Sequence, residues 1–368
     1  MARNGKRVRY AVVGLGNIAQ VAMLPAFEHA KENSELVALV SGNPEKLETL
    51  SKKYSVSVTG SYDQLEGVLE RSGADAVYLA VPNSHHRRFT ERAARIGVHV
   101  LCEKPMAMSV EDCQAMIDVA EDNDVKLMIA YRLHFEEANL SVVRAVQEGE
   151  IGEARAFTSF FSQDVRPGDI RTRAEVGGGA LFDVGVYCVN AARYLFRSEP
   201  VEVMAYQLSG DERFHDVDET TVAILRFPDE RIAQFVCSQG LAKVASYRIV
   251  GTKGDIRLEP AYGYAVDLVC HRTIEGETEV RRYPKRDQFA PQLVHFSDCI
   301  LEGREPEPSG YEGLADVRIL EAIAASARDG RPVRLPELER PRRPDLDLEM
   351  SKPPVEKPEP VEAPSPTS

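Results

Sequence analysis

At 368 residues, 43% apolar and 28% charged, the chain has the make-up of a globular enzyme with room for two cores, not of a disordered or fibrous protein. A formal net charge of −13, with no local basic patch to offset it, argues against a nucleic-acid partner. No apolar run approaches the roughly 20 residues that span a bilayer, so no membrane partner is expected. The basic stretch Met1–Arg9 leads into a glycine motif rather than a cleavage site, and a cytoplasmic protein without a signal peptide is the expectation.

The elements begin at once. Val8–Val13 is a β-rich apolar run, followed by Gly14-Leu15-Gly16 and a helical pattern carrying Val21, Leu24 and Phe27 on one face. Pro25 should kink or restart that helix. Leu36–Val40, Ala76–Val81, His99–Cys102 and Lys126–Ala130 read as further short buried strands. Helical patterns lie at Glu45–Lys53, Arg88–Ile96 and Val110–Asn123. Short apolar strands alternating with helices argue for a doubly wound parallel α/β sheet of the Rossmann type over residues 1–130.

Beyond residue 130 the rhythm changes. Ala154–Phe161, Val201–Leu208, Thr220–Phe227, Ile232–Ser238, Tyr247–Val250 and Ala265–His271 are β-type segments. Turn signals at Pro228-Asp229-Glu230 and Thr252-Lys253-Gly254 suggest antiparallel hairpins. Helices at Leu181–Leu195, Gln288–Leu301 and Tyr311–Arg328 would cover one face, giving an α+β domain over residues 131–338. From Glu339 the chain holds eight of its 22 prolines and no aromatic residue. Such a segment offers little apolar surface to offset its ordering entropy, and a disordered, Pro-rich acidic tail is expected over 339–368.

Six cysteines, at 102, 113, 188, 237, 270 and 299, show no C-x-x-C spacing. Reduced, largely buried thiols are therefore expected, and no metal site.

Four motifs could carry chemistry. Gly14-x-Gly16-x-x-Ala19 lies between a strand and a helix. Its glycines permit a tight turn and bring backbone N–H groups to a pyrophosphate, which the helix N-terminus also favours. Gly14, Gly16, Asn17 and Ile18 are assigned to the cofactor on this ground. At the end of the next strand stand Ser41, Gly42 and Asn43, with Ser41 22 residues beyond Ala19. An NAD site usually places a carboxylate here for the ribose 2′-hydroxyl. A hydroxyl, small residues and Lys46 in the following helix suit a 2′-phosphate instead, so NADP is favoured. Ser41 as a helix cap is the plainer alternative.

The third motif, Glu103-Lys104-Pro105, ends the fifth apparent strand, at the sheet edge where doubly wound folds bind ligands. The fourth runs from Gly177-Gly178-Gly179 into a helix. There Leu181, Val184, Cys188, Ala191 and Leu195 form a core stripe beside a second stripe of Asp183, Tyr187, Asn190 and Tyr194. Pro82, Asn83 and His85 follow a strand end and could line a nicotinamide pocket; so could Arg132, with an ordinary loop as the alternative in both places.

Together these motifs resemble the glucose–fructose oxidoreductase and inositol dehydrogenase family, with the strongest likeness to its glucose–fructose oxidoreductase branch. The resemblance rests on Tyr10–Gly16, Leu39–Asn43, Asp75–Tyr78, Pro82–Ser84, Cys102–Ala107, Lys126–Arg132, Gly177–Asp183 and Asp316–Arg318, and spans roughly residues 8–335. It implies an NADP-dependent oxidoreductase that moves a hydride between nicotinamide and a sugar, such as oxidation of an aldose to its lactone. It further implies Lys104 as the lysine of the EKP motif, Asp183 as the active-site aspartate and Tyr187 at the acid/base position. Many members carry histidine there; tyrosine is typical of the monosaccharide and dihydrodiol dehydrogenase branch. Lys104 and Tyr187 are expected to converge from different domains, and a homodimer or homotetramer is expected through the open second sheet. A xylose- or dihydrodiol-type dehydrogenase is the alternative within the family. An NADP-sensing regulator without turnover is the alternative outside enzymes.

Overall fold

The computed structural model describes residues 6–338, 340 and 343–367. They form two compact units, each assembled from separated stretches of chain. The first comprises the described residues up to Arg132, with Arg286–Leu314 and Ser351–Pro366. The second comprises Leu133–Lys285 and Ala315–Met350, with Thr367. Among the described residues, no helix is long and apolar enough to cross a membrane, and no cluster of histidine, cysteine or acidic side chains could hold a metal ion.

The first unit is built on six parallel strands: β1 (Val8–Val13), β2 (Ser34–Val40), β3 (Val58–Gly60), β4 (Ala76–Leu79), β5 (His99–Cys102) and β6 (Leu127–Ile129). Their order is β3-β2-β1-β4-β5-β6, with every neighbouring pair parallel. Strands covered on both faces have nothing polar to show, and β4 is accordingly buried at all four of its residues. The chain reverses its direction of winding between β1 and β4, so the crevice at their carboxyl ends is the topological switch point. The Pro25 expectation holds. A five-residue π-helical turn at Ala19–Met23 gives way to an α turn at Leu24–Ala26 and a 3₁₀ turn at Phe27–His29.

Two expectations fail in this unit. The helix Ala290–Glu302, expected over the second sheet, packs on the first. Ser297 hydrogen-bonds the Tyr10 hydroxyl at 2.9 Å, and Asn33 donates to the Val294 carbonyl at 2.9 Å and to Asp298 at 2.8 Å. The tail expected to be disordered is also ordered where it is described. Lys352 pairs with Glu32 at 2.8 Å, and its carbonyl accepts from the Asp287 amide at 3.2 Å. Prolines restrict the chain before it binds, which lowers the ordering entropy that the composition argument charged against it. Residues 339, 341, 342 and 368 of that segment lie outside the described residues.

The second unit carries a nine-stranded sheet: β7 (Ala154–Asp164), β8 (Glu202–Leu208), β9 (Thr220–Phe227), β10 (Arg231–Ser238), β11 (Gly240–Gly251), β12 (Gly254–Leu258), β13 (Leu268–Ile274), β14 (Glu277–Tyr283) and β15 (Val333–Arg334). The order is β14-β13-β12-β11-β7-β10-β9-β8-β15. The expected hairpins form as β9–β10 and β11–β12. Between them β7 inserts, pairing parallel to β10 and antiparallel to β11. One face is buried through Val203, Ala205, Ala223, Leu225, Phe227, Ala233 and Phe235. Its alternate residues face outward, with Tyr206 61% and Leu208 60% exposed, alongside Ile224 and Ile232.

The helix Val186–Phe196 is fastened in this unit by a buried charge cluster. Arg193, fully buried, forks onto Glu199 at 2.7 and 2.9 Å and reaches Asp316 at 2.6 Å. Asn190 also donates to Asp316, at 2.9 Å. A buried guanidinium is tolerated only with carboxylates in such geometry, so Asp316 and Arg193 serve the fold.

Candidate active site

The site is built from strand ends. Gly14 stands at φ +96°, and a Cβ there would lie 2.4 Å from the Ala80 carbonyl oxygen that follows β4. Only glycine fits this close approach. The turn leaves the amides of residues 15–18 without a protein acceptor among the described residues. A Cβ on Gly16 would meet nothing within 4 Å. Uncommitted donors at the start of a helical segment, with open space above them, fit a pyrophosphate.

At the end of β2, Ser41 is 4% exposed and its Oγ accepts from the Asn43 amide at 3.2 Å. Asn43, not Ser41, caps the helix Pro44–Tyr54, its Oδ1 taking the Lys46 amide at 3.1 Å. Ser41 is thereby relieved of the capping role. Burial lowers the Lys46 pKa, and a nearby Glu362 carboxylate partly offsets this. No acid stands at the strand end, so this corner fits a phosphate better than a bare ribose hydroxyl pair.

Around the ends of β4 and β5 the roles diverge. Pro82 precedes the 3₁₀ turn Asn83–His85; His85 is exposed, with Nδ1 3.2 Å from the Ser84 hydroxyl. His86 is fully buried, its Nδ1 2.9 Å from the Pro105 carbonyl and its Nε2 3.1 Å from the Val81 carbonyl. The neutral ring donates its one N–H to one of these carbonyls and packs against the other, bringing the segments after β5 and β4 together. Glu103 accepts from the Tyr78 hydroxyl at 2.5 Å and from the Lys104 amide at 3.2 Å. Its carboxyl pKa is raised by burial, with Lys104 and Tyr78 opposing. Those bonds make Glu103 a support for Lys104. Arg132, 5% exposed, bonds Gln288.

In the second unit, Asp183 and Tyr187 lie one turn apart, in a π-helical turn (Leu181–Gly185) and the helix that continues it. Asp218 starts that helix, taking the Leu181 amide on its carboxylate at 2.8 Å. Burial pushes its carboxyl up to about 6. The glycines explain what lies opposite. The amides of Gly178 and Gly179 donate to the carbonyls of Arg173 and Arg171 at 3.0 and 2.9 Å, and a Cβ on Gly178 would meet Arg171 O at 2.5 Å. This wraps the 170s loop so that Arg171 Nε reaches Asp183 Oδ2 at 2.7 Å. The same oxygen receives Gln239 Nε2 at 2.8 Å and Gln163 Nε2 at 3.4 Å. Desolvation pulls the Arg171 pKa down, but Asp183 and Asp169 outweigh it and hold the guanidinium charged.

Tyr187 packs edge-on to Phe161 at 5.4 Å between ring centroids and against Tyr262 at 5.8 Å. The other two members of the expected stripe have structural partners. Asn190 binds Asp316, and Tyr194 packs on His134 at 4.4 Å. Ala191, expected in the core stripe, is only half-buried, while Val189 and Ala192 are buried. The π turn at Leu181–Gly185 winds more than 3.6 residues per turn and so shifts Leu181, Asp183 and Val184 in phase against the helix that follows.

The sequence matches the family described as "Oxidoreductase family, NAD-binding Rossmann fold" over residues 8–131, and the GFO/IDH/MocA C-terminal domain over 140–257. It is 31% identical over 336 residues to a D-xylose 1-dehydrogenase [NADP(+)] of Haloarcula marismortui, covering 89% of this chain and 93% of that protein. Among solved structures it resembles an aldose–aldose oxidoreductase of Caulobacter crescentus complexed with glycerol, with a TM-score of 0.85 and 39% identity over 89% of this chain and all of that one. It also resembles a 3-ketoreductase of Actinomadura kijaniata in complex with TDP-benzene and NADP, with a TM-score of 0.80 and 28% identity over 87% of this chain and 98% of that one. The chain belongs to the GFO/IDH/MocA oxidoreductase family.

Several residues that hold the candidate side chains of each unit in place escaped the sequence reading. Gln163, Arg171, Gln239 and Asp218 lie far apart in sequence and share no spacing. Only the triple glycine signalled that backbone was passing closely by. His86 stands in the short stretch after Pro82 that reads as an ordinary loop.

His86 gives a pH test. Burial lowers its pKa from 6.5 to about 4, with the Lys104 charge adding to the effect. Above pH 6.5 the ring is neutral folded and unfolded, and contributes nothing to pH dependence. As pH falls below 6.5 the unfolded chain takes the proton first, so stability is lost down to about pH 4. At about 1.4 kcal/mol per pKa unit the loss is roughly 3 kcal/mol. Urea unfolding of wild type and His86→Leu should show their stability gap shrinking across this window. A gap that stays constant would remove His86 from the account.

Proposed function

We propose that this protein is an NADP-dependent oxidoreductase that moves a hydride between nicotinamide and a sugar carbinol, with oxidation of an aldose to its lactone as the forward sense. The observation that carries the cofactor half is the end of β2. Ser41, Gly42 and Asn43 place a hydroxyl and small side chains there, with Lys46 beside them and no carboxylate among the strand-end residues themselves. The amides of residues 15–18 would hold the pyrophosphate. Pro82, Asn83, His85 and Arg132 are assigned to the nicotinamide half, and Glu103 acts through Lys104. NADP, when bound, supplies the hydride acceptor.

The chain's own residues handle the proton and the orientation. Tyr187 takes the proton from the substrate hydroxyl in oxidation and returns it in reduction. Its ring is fixed by Phe161 and Tyr262, which sets where the hydroxyl points. Asp183, clamped by Arg171 and Gln239, orients a neighbouring substrate hydroxyl. Lys104 supplies the cation of the site. The named activities of the sugar-acting relatives support a sugar as the substrate class.

Replacing Tyr187 with Phe should keep the packing and remove the proton carrier. Turnover with NADP and an aldose panel, followed at 340 nm, should fall about 10²–10⁴-fold. A near-wild-type rate would exclude the tyrosine from proton transfer. Ser41→Asp should place a charge against the 2′-phosphate. The kcat/KM ratio for NADP over NAD should then drop about tenfold or more; an unmoved ratio would refute the phosphate subsite.

The outward face of the nine-stranded sheet supports self-association. Tyr206, Leu208, Ile224 and Ile232 are exposed apolar residues on neighbouring strands, more than isolated surface residues would show. A homodimer or homotetramer through this face is the expected state. Light scattering should show Ile224→Glu shifting the mass toward the monomer, and a monomeric wild type would sink the proposal.

A further inference from the structure

The segment Ser351–Pro366 has no part in the chemistry above, yet it is fastened to the residues that follow the glycine loop. Gln20 is 1% exposed. Its Nε2 donates to the Val361 carbonyl at 2.9 Å, and its Oε1 accepts from the Val361 amide at 2.8 Å. The same Nε2 donates to the Leu15 carbonyl at 2.9 Å, so one side chain joins the glycine loop to the tail. Two residues on, the Ala363 carbonyl accepts from Asn17 Nδ2 at 2.8 Å, and Ala363 is 6% exposed. Between them Glu362 sits at φ 46°, a left-handed conformation that a glutamate rarely adopts unless its surroundings impose it. Its carboxylate acts on Lys46. Upstream, Lys352 anchors the segment to Glu32 and Asp287.

These contacts use side chains of the loop and spare its backbone. The amides of residues 15–18 remain uncommitted, and the space above Gly16 stays open. The tail therefore borders the pyrophosphate position without filling it.

We propose that Val361–Ala363 is a further part of the nucleotide site: a strap, held by Gln20 and Asn17, that lies along the bound dinucleotide and slows its release. The inference rests on the NADP reading given above. A nucleotide that gains contacts from the strap must in turn hold the strap in place, because such coupling is reciprocal.

The test compares the full chain with a chain ending at Met350 and with Val361→Pro, which removes the amide that Gln20 accepts. NADPH release is measured by stopped-flow fluorescence, chasing bound NADPH with excess NADP. Hydrogen exchange at the Val361 amide is followed in the full chain with and without NADP. Release should be about tenfold faster or more in both variants, since contact losses act mainly on dissociation. NADP should slow exchange at Val361. Should the shortened chain fail to fold, Val361→Pro carries the test. Unchanged release in a folded variant would overturn the strap. So would tighter binding without the tail, which would mean that Glu362 competes with the phosphate for Lys46. A full chain that binds no NADPH would refute the cofactor reading itself, a result distinct from binding with strap-independent release.

Discussion

The first unit turns on one close approach. β1 can end against the segment after β4 only because position 14 has no side chain, a Cβ there falling 2.4 Å from Ala80 O. Because the backbone passes so near, the chain must leave the sheet at the switch point. It leaves with φ +96° at Gly14, a conformation that directs the next amides outward instead of into a ladder. The π turn of Ala19–Met23 follows immediately, and the Gln20 side chain can then reach back to Leu15. The donors for a pyrophosphate and the anchor for the tail thus share one backbone cause. Substituting Gly14 would disturb both together.

The second unit repeats the logic with different parts. A π turn here carries the candidate acid Asp183, and a glycine again admits backbone where a Cβ would clash, here Gly178 against Arg171 O. Widened turns of this kind recur at functional sites because they turn a side chain out of the helical register. In this unit the widening sets Asp183 in a different register from Tyr187, Asn190 and Tyr194, which share the regular helix that follows. Asp183 and Tyr187 are half-buried, whereas Asn190 and Tyr194 are buried.

How much of this was legible follows from where the information lies. β1, β2, β4, β5 and β6 could be read because a doubly covered strand is apolar throughout. β3 is three residues long, and the edge strand β14 is exposed at every residue but Tyr283, so neither carries such a pattern. The helix Ala290–Glu302 was visible as a helix, but which sheet it covers depends on Asn33 meeting Val294 and Asp298 across more than 260 residues. Local periodicity has no access to that. The tail was misjudged for a different reason. Composition weighs apolar side chains, whereas this segment is held by backbone carbonyls and amides meeting Gln20 and Asn17. Gly14, Gly16, Ser41, Lys104, Asp183 and Tyr187 could be named as candidates because each sits in a short motif. Their supports, Arg171, Gln239, Asp218 and His86, were not, because support is a long-range contact.

The division of labour between Asp183 and Tyr187 follows from these supports. Three donors converge on one oxygen of Asp183, from a loop, from β7 and from the turn between β10 and β11. A carboxylate fixed from three directions has a set position, and a set position is what aligning a substrate hydroxyl requires. Carrying a proton makes a different demand, since the group must change charge at each half of the cycle. Arg171 would oppose that at Asp183, because protonating the carboxylate would leave a half-buried guanidinium with one counter-ion fewer. Tyr187 is set instead by ring packing, with Phe161 edge-on and Tyr262 tilted against it. On the proposed function, this fixed carboxylate suits the orienting part, which leaves the proton to the phenol.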